Sequence, residues 1–221
     1  MKKSDRISGN ILGGSRAEID KTMLAKAFVE THDFQALVNT TDFNFVVGRR
    51  GTGKSALFLK IFEYIKKNKT GYIYENTPQE YEQLALRATV ERITSNYRSI
   101  RAITRVAWRV SILLDQLSHI QEHYKFKNST KFDYLCEVST KYEELLSVNI
   151  FSRTASIISE CFSEDKSADE VPAQIAIKYD IEALHFAVND SLLTIGRASY
   201  YLFDGLDEGW QPNKIATAVL G

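Results

Sequence analysis

The sequence predicts an α/β fold in which a parallel sheet, incomplete towards the C-terminus, is interrupted by a large all-helical insertion. Three observations predict it. An apolar run at residues 43–47 leads into Gly48-Arg49-Arg50-Gly51-Thr52-Gly53-Lys54-Ser55 and then into an amphipathic stretch from Ala56 to Lys67. A second apolar run, Tyr200-Tyr201-Leu202-Phe203, ends in Asp204-Gly205-Leu206-Asp207-Glu208. Between them, from Gln79 to Val171, there is neither glycine nor proline, although the chain has 11 Gly and 3 Pro. An interval without breakers favours helices.

The elements follow in order. Residues 1–16 carry Ser-Gly-Asn and Gly-Gly-Ser and read as a mobile arm; helical periodicity then runs from Ala17 to Phe28. Residues 17–76 form the first part of the core: the 43–47 strand, the glycine loop, its helix, and a short strand around Tyr72, Ile73 and Tyr74. Residues 77–197 are the insertion, where Ile103, Val106, Ala107, Val110, Leu113, Leu114 and Leu117 recur at three- and four-residue steps, as do Tyr142, Leu145 and Leu146. Breaks are expected at 125–131 and 163–170, with Pro172 opening a last helix to about Leu193. Residues 198–221 supply the acid-tipped strand and the start of a helix after Pro212.

The octapeptide fits the phosphate-binding pattern G-x-x-x-x-G-K-[ST]. Glycines let the backbone curl around an anion, and the amides at the helix N-terminus, including that of Ala56, attract its charge. Lys54 is expected to reach the β- and γ-phosphates, and Ser55 to give Mg2+ a hydroxyl ligand. Arg49 and Arg50 are either exposed at the outer turn or stabilise charge at a neighbour's nucleotide. Asp204 is positioned to hold Mg2+ through water. Of Asp207 and Glu208, Glu208 is the better candidate to orient or deprotonate an attacking water. No [NT]KxD motif for guanine follows, which favours ATP.

Together GRRGTGKS (Walker A) and YYLFDGLDE (Walker B) resemble P-loop ATPases of the AAA+ and STAND kind, with the DGLDE form most like the NACHT subgroup. Gly205 stands where an ordinary AAA+ protein would have Glu. The pair is also similar to bacterial P-loop ATPases that accompany phage-defence genes. The resemblance implies Mg-ATP binding and hydrolysis, a conformational or oligomeric switch, self-association or a partner protein, and an arginine supplied in trans. The alternatives are a non-hydrolysing nucleotide-gated module and a nucleic-acid-dependent motor. In the resembled class another strand lies between the two motif strands, and the sequence stops at Gly221 without one. The reading therefore expects a truncated chain or half of a larger assembly, or else a minimal fold with a different strand order.

Composition sets bounds. The 28 Lys plus Arg equal the 28 Asp plus Glu, so no global field draws the chain to nucleic acid or anionic lipid. No signal sequence and no long apolar run is present, giving an expectation of a cytoplasmic protein without membrane contact. Cys136 and Cys161 lack metal or disulfide spacing. Arg98, Arg101, Arg105 and Arg109 share one helical face, with Arg87 joining them if the helix starts early. They either contact nucleic acid, with Tyr97 and Trp108 stacking, or a neighbour subunit, or pair with acids of adjacent helices. His119-Ile120-Gln121-Glu122-His123 matches a short zinc pattern, H-x-x-E-H, but reads as two surface histidines.

Overall fold

A computed structural model describes residues 28–39, 45–49, 51–163, 167–206 and 214–220. In chain order the elements are α1 (His32–Asn39), α2 (Lys54–Asn68), β1 (Gly71–Asn76), α3 (Glu80–Ile93) and α4 (Tyr97–Gln121). There follow a 3-10 turn (Phe126–Asn128), α5 (Phe132–Lys141), α6 (Glu143–Leu146) and α7 (Ile150–Cys161). A second 3-10 turn (Ala168–Glu170) leads to α8 (Val171–Lys178), α9 (Ile181–Ile195), β2 (Ala198–Phe203) and α10 (Lys214–Leu220).

The expected fold class is corrected by this architecture. The described residues are 70% helical, and their sheet has two strands, β1 and β2, paired in parallel with Gly71 opposite Ala198 and Asn76 opposite Phe203. They do not show a P-loop NTPase core, although the large helical region is present. Residues 45–47, read as part of a buried strand, form none: Phe45 is 85% and Val47 94% exposed. The reason is physical. A strand is stabilised by a neighbour that completes its hydrogen-bond ladder, and apolar composition alone supplies no neighbour. The expected N-terminal arm, the periodic segment 17–27 and the stretch from Asp207 to Asn213 lie outside the described residues.

Helix α4 organises the core. Asn96 caps it, accepting from the amides of Arg98 and Ser99, and it runs for 25 residues. Its apolar stripe, Ile100, Ile103, Ala107, Val110, Leu114, Leu117 and Ile120, is fully buried, and α3, α5, α6, α7, α8, α9 and α10 all contact the helix. Asn149 starts α7 in the same way as Asn96, accepting from Phe151 and Ser152 amides, and donates to Glu82 of α3 at 2.6 Å. The last expected helix is instead two, α8 and α9. They meet at Tyr179 and Asp180, where Asp180 takes a left-handed φ of 43°. Gly196, with φ 67°, closes α9 while the amide of Arg197 returns to the Leu192 carbonyl.

Arg153 of α7 is 2% exposed. Its guanidinium donates to the carbonyls of Leu145 (2.6 Å), Ser111 (3.0 Å) and Val148 (2.8 Å), more weakly to Leu146 (3.5 Å), and to the Asp115 carboxylate. Three of these acceptors are the carbonyls that the four-residue α6 and its exit leave without helical partners. Nearer the start of α4, Thr104 and the Trp108 indole N–H donate to the carbonyls of Ala218 and Val219, both at 3.1 Å, so they hold the end of α10.

The sheet is held by helices. Tyr74 and Tyr201, opposite each other in register, stack at 4.2 Å, and His119 of α4 packs on Tyr74 at 4.8 Å and Tyr72 at 5.5 Å. The Tyr201 hydroxyl donates to the Ile112 carbonyl. Strand alternation leaves Ile73, Tyr200 and Leu202 on the face away from α4, and α2 contacts both strands.

Removing the guanidinium should be severe. Arg153→Ala leaves Asp115 and several buried carbonyls unpaired and is expected to cost about 3–5 kcal/mol, lowering the thermal midpoint by on the order of 10 °C. Arg153→Lys should recover little, because one ammonium cannot span that set of acceptors. A circular-dichroism melt that superimposes on wild type would sink this account. Trp108→Phe keeps an aromatic ring against Phe151 but loses the indole N–H and part of the ring volume. Faster hydrogen exchange confined to 214–220 is expected, and unchanged exchange there would show that the indole bond does not hold α10.

Candidate phosphate site

Helix α2 begins immediately after the glycine loop, as the motif requires. Gly51 and Gly53 sit at φ 83° and 88°, the left-handed region where a Cβ is disfavoured. Between them and Gly48 the loop closes on itself. The amide and hydroxyl of Thr52 both donate to the Arg49 carbonyl, at 3.2 and 2.8 Å, and Lys54 Nζ donates to the Gly48 carbonyl at 2.7 Å. The first backbone bond into the helix is from Leu57 to the Gly53 carbonyl, and Gly53 brings no side-chain cap. The loop from Gly48 to Gly53 is exposed where described, while Lys54, Ser55 and Ala56 are half-buried. Arg49 is exposed; Arg50 lies outside the described residues.

Asp204 follows β2. Its amide donates to the Asn76 carbonyl at 3.0 Å, extending the ladder, and its Oδ1 accepts from the Gly205 amide at 2.9 Å. The Gly205 carbonyl accepts from Gln83 Nε2 at 3.0 Å, which ties this turn to α3. Asp207 and Glu208 lie outside the described residues.

Topology relates the two parts. Two residues link α2 to β1, and α2 also contacts β2, so the helix runs back along the strands it packs on. Its length, about 22 Å, matches the roughly 20 Å of β1. Asn76 and Asp204 lie at the C-terminal ends of β1 and β2, the ends opposite the two-residue link from α2. A glycine loop that opens a helix suits a phosphate, and a half-buried carboxylate after a strand suits its counter-cation. Among the described residues no group of three His, Cys, Asp or Glu could hold a metal on its own. Mg2+ fits such a place, since it takes one or two protein oxygens and completes its shell with phosphates and water.

Sequence reasoning missed Gln83 and Asn76. Neither belongs to a motif, and a glutamine in an apolar helical pattern carries no signal of its own. Other expectations are redistributed. Arg109 pairs with Glu182 at 3.2 Å and Arg87 with Glu91 at 2.7 Å, whereas Arg98, Arg101 and Arg105 are exposed and form no ion pair among the described residues. Trp108 is not a stacking platform; its ring lies edge-on to Phe151 and Phe203. His119 is packed between α4 and the sheet rather than on the surface. α4 ends before His123, which stacks on Tyr124, so the two histidines do not form a helical ligand pair. Burial raises the hydroxyl pKa of Tyr74 and of Tyr201, so both stay neutral across the physiological range. No helix among the described residues is long and apolar enough to cross a membrane.

No family model and no solved structure matches the chain. It is 31% identical over 211 residues to a protein of Escherichia coli (strain K12) described as "Putative transposon gamma-delta 80.3 kDa protein". The alignment covers 96% of this chain, which spans 30% of that relative's length.

Proposed function

We propose that the loop from Gly48 to Ser55 binds the triphosphate of ATP with Mg2+, and that hydrolysis drives a conformational or oligomeric switch. The observation that carries the reading is the loop's conformation. Two left-handed glycines, an uncapped helix start and an ammonium folded back over the loop support an anion-binding reading.

Each residue has a defined task. Lys54 exchanges the Gly48 carbonyl for oxygens of the β- and γ-phosphates. The amides from Gly51 to Ala56 surround the phosphate chain. Ser55 and Asp204 offer oxygens to Mg2+, Asp204 turning from the Gly205 amide to do so. Held there by Ser55 and Asp204, Mg2+ would supply charge neutralisation of the phosphate oxygens. Water forms the new bond to the γ-phosphorus and passes its proton to Glu208, with ADP as the leaving group. Gln83 then gives the switch a route: a shift of the turn at Asp204 and Gly205 pulls on α3. A setting in bacterial phage defence rests on the motif resemblance, and self-association or a partner on the same ground. The relative's description mentions only a transposon.

Two variants test this. Lys54→Ala is expected to weaken ATP binding about 10- to 100-fold, the worth of a charged hydrogen bond, measured by calorimetry with Mg2+. Glu208→Gln should keep ATP binding and lose turnover by about a hundredfold or more. Equal ATP affinity in wild type and Lys54→Ala, or no binding by either, would remove the reading. Lys54-dependent binding without turnover in wild type would leave a nucleotide-gated interaction module.

A further inference from the structure

Of the four arginines spaced along α4, only Arg109 is neutralised, by Glu182 at 3.2 Å. Arg98, Arg101 and Arg105 are exposed at positions i, i+3 and i+7 and form no ion pair among the described residues. Ala102, also exposed, lies between them and lets a partner approach the helix closely. Asp169, the acid that contacts the start of this helix, accepts from Ser99 at 2.6 Å. In a chain with equal numbers of acids and bases, three adjacent guanidiniums without carboxylates are a local excess that the average conceals.

We infer that the row Arg98, Arg101 and Arg105 on α4 is a contact surface for the phosphodiester backbone of a nucleic acid. The row spans about 10 Å along the helix, roughly three phosphate steps of one strand. Exposed guanidiniums fork onto phosphate oxygens without losing an existing partner. The surface has a limit at its C-terminal end, where Asp180 and Glu182 flank Arg109 in a groove of about 440 Å3 and repel a backbone. Trp108 is occupied by Phe151 and Phe203, which leaves the exposed Tyr97 beside Arg98 as the one aromatic of the expected pair still open, so the guanidinium contacts are to phosphate and carry no sequence preference of their own.

The test is fluorescence anisotropy of the full chain with labelled random-sequence DNA, duplex and single-stranded, without nucleotide or Mg2+, so that the result does not depend on the phosphate loop. Wild type is expected to bind, with affinity falling steeply between about 50 and 200 mM salt. The triple charge reversal Arg98→Glu, Arg101→Glu, Arg105→Glu should weaken binding by about tenfold or more and reduce the salt slope by about 2 to 3. The milder triple change to Gln should move both in the same direction, with an unchanged melting curve. Arg109→Ala should bind as wild type does. No binding by wild type, or unchanged binding by the folded Gln variant, overturns the inference. So does a result in which the Gln variant alters self-association while DNA binding persists, because the row is then a protein contact.

Discussion

The guanidinium of Arg153 is the constraint around which the helical body is arranged. Burying a charge is costly unless every donor finds a partner. Here the partners come from three places: the exit of α6, the Ser111 carbonyl and the Asp115 carboxylate, the last two on α4. The short α6 cannot satisfy its own carbonyls, and α7 cannot bury Arg153 without them. Each requirement answers the other, which fixes where α7 crosses α4. Asp115 in turn lies close enough to the stacked Tyr74 and Tyr201 to oppose their ionisation, so this pair also sits beneath the sheet.

A two-stranded sheet is marginal by itself. β1 and β2 persist because α4 covers one face, through His119, the tyrosines and the bond from Tyr201 to the Ile112 carbonyl, while α2 packs on both strands. The placement of Asp204 is consequently set by helix packing more than by the sheet. The glycine loop inherits its place from α2 in the same manner. This is how a mostly helical chain carries a motif usually met at the edge of a broad parallel sheet.

What the sequence made legible was local. The glycine loop, the helix it opens, the strands around Tyr72 and Tyr200 and the buried stripe of α4 follow from backbone freedom and periodicity, which act over a few residues. What it hid depends on partners distant in the chain. FNFVV reads as a strand from composition, yet residues 45–47 pair with no strand among the described residues, and Phe45 and Val47 stay exposed. Trp108 was one option for stacking and His119 read as a surface residue because nothing nearby in sequence shows that Val219 and Tyr74 occupy them. Arg153 gave no signal at all. Around the proposed site, the glycine turn before α2 and the end of β2 at Asp204 were readable as local structure, whereas Gln83, which anchors the Asp204 turn, was not.

That anchor bears on how two ligands would influence each other. α3 carries Gln83 near its start and ends at Ile93, three residues before the cap of the arginine-bearing helix. Its 14 residues form a rod of about 21 Å, bonded in its first turn both to the turn after Asp204, through Gln83, and to α7, through Glu82 and Asn149, and packed on α7. A rod held by packed side chains shifts as a unit, because tight interiors pass on displacement instead of absorbing it. Movement of the Asp204 turn on nucleotide binding would therefore reach the start of α4, where Arg98 and Arg101 lie. Linkage makes any such coupling mutual: whatever ATP does to the affinity of the arginine row, a ligand on that row must do, by the same factor, to the affinity for ATP.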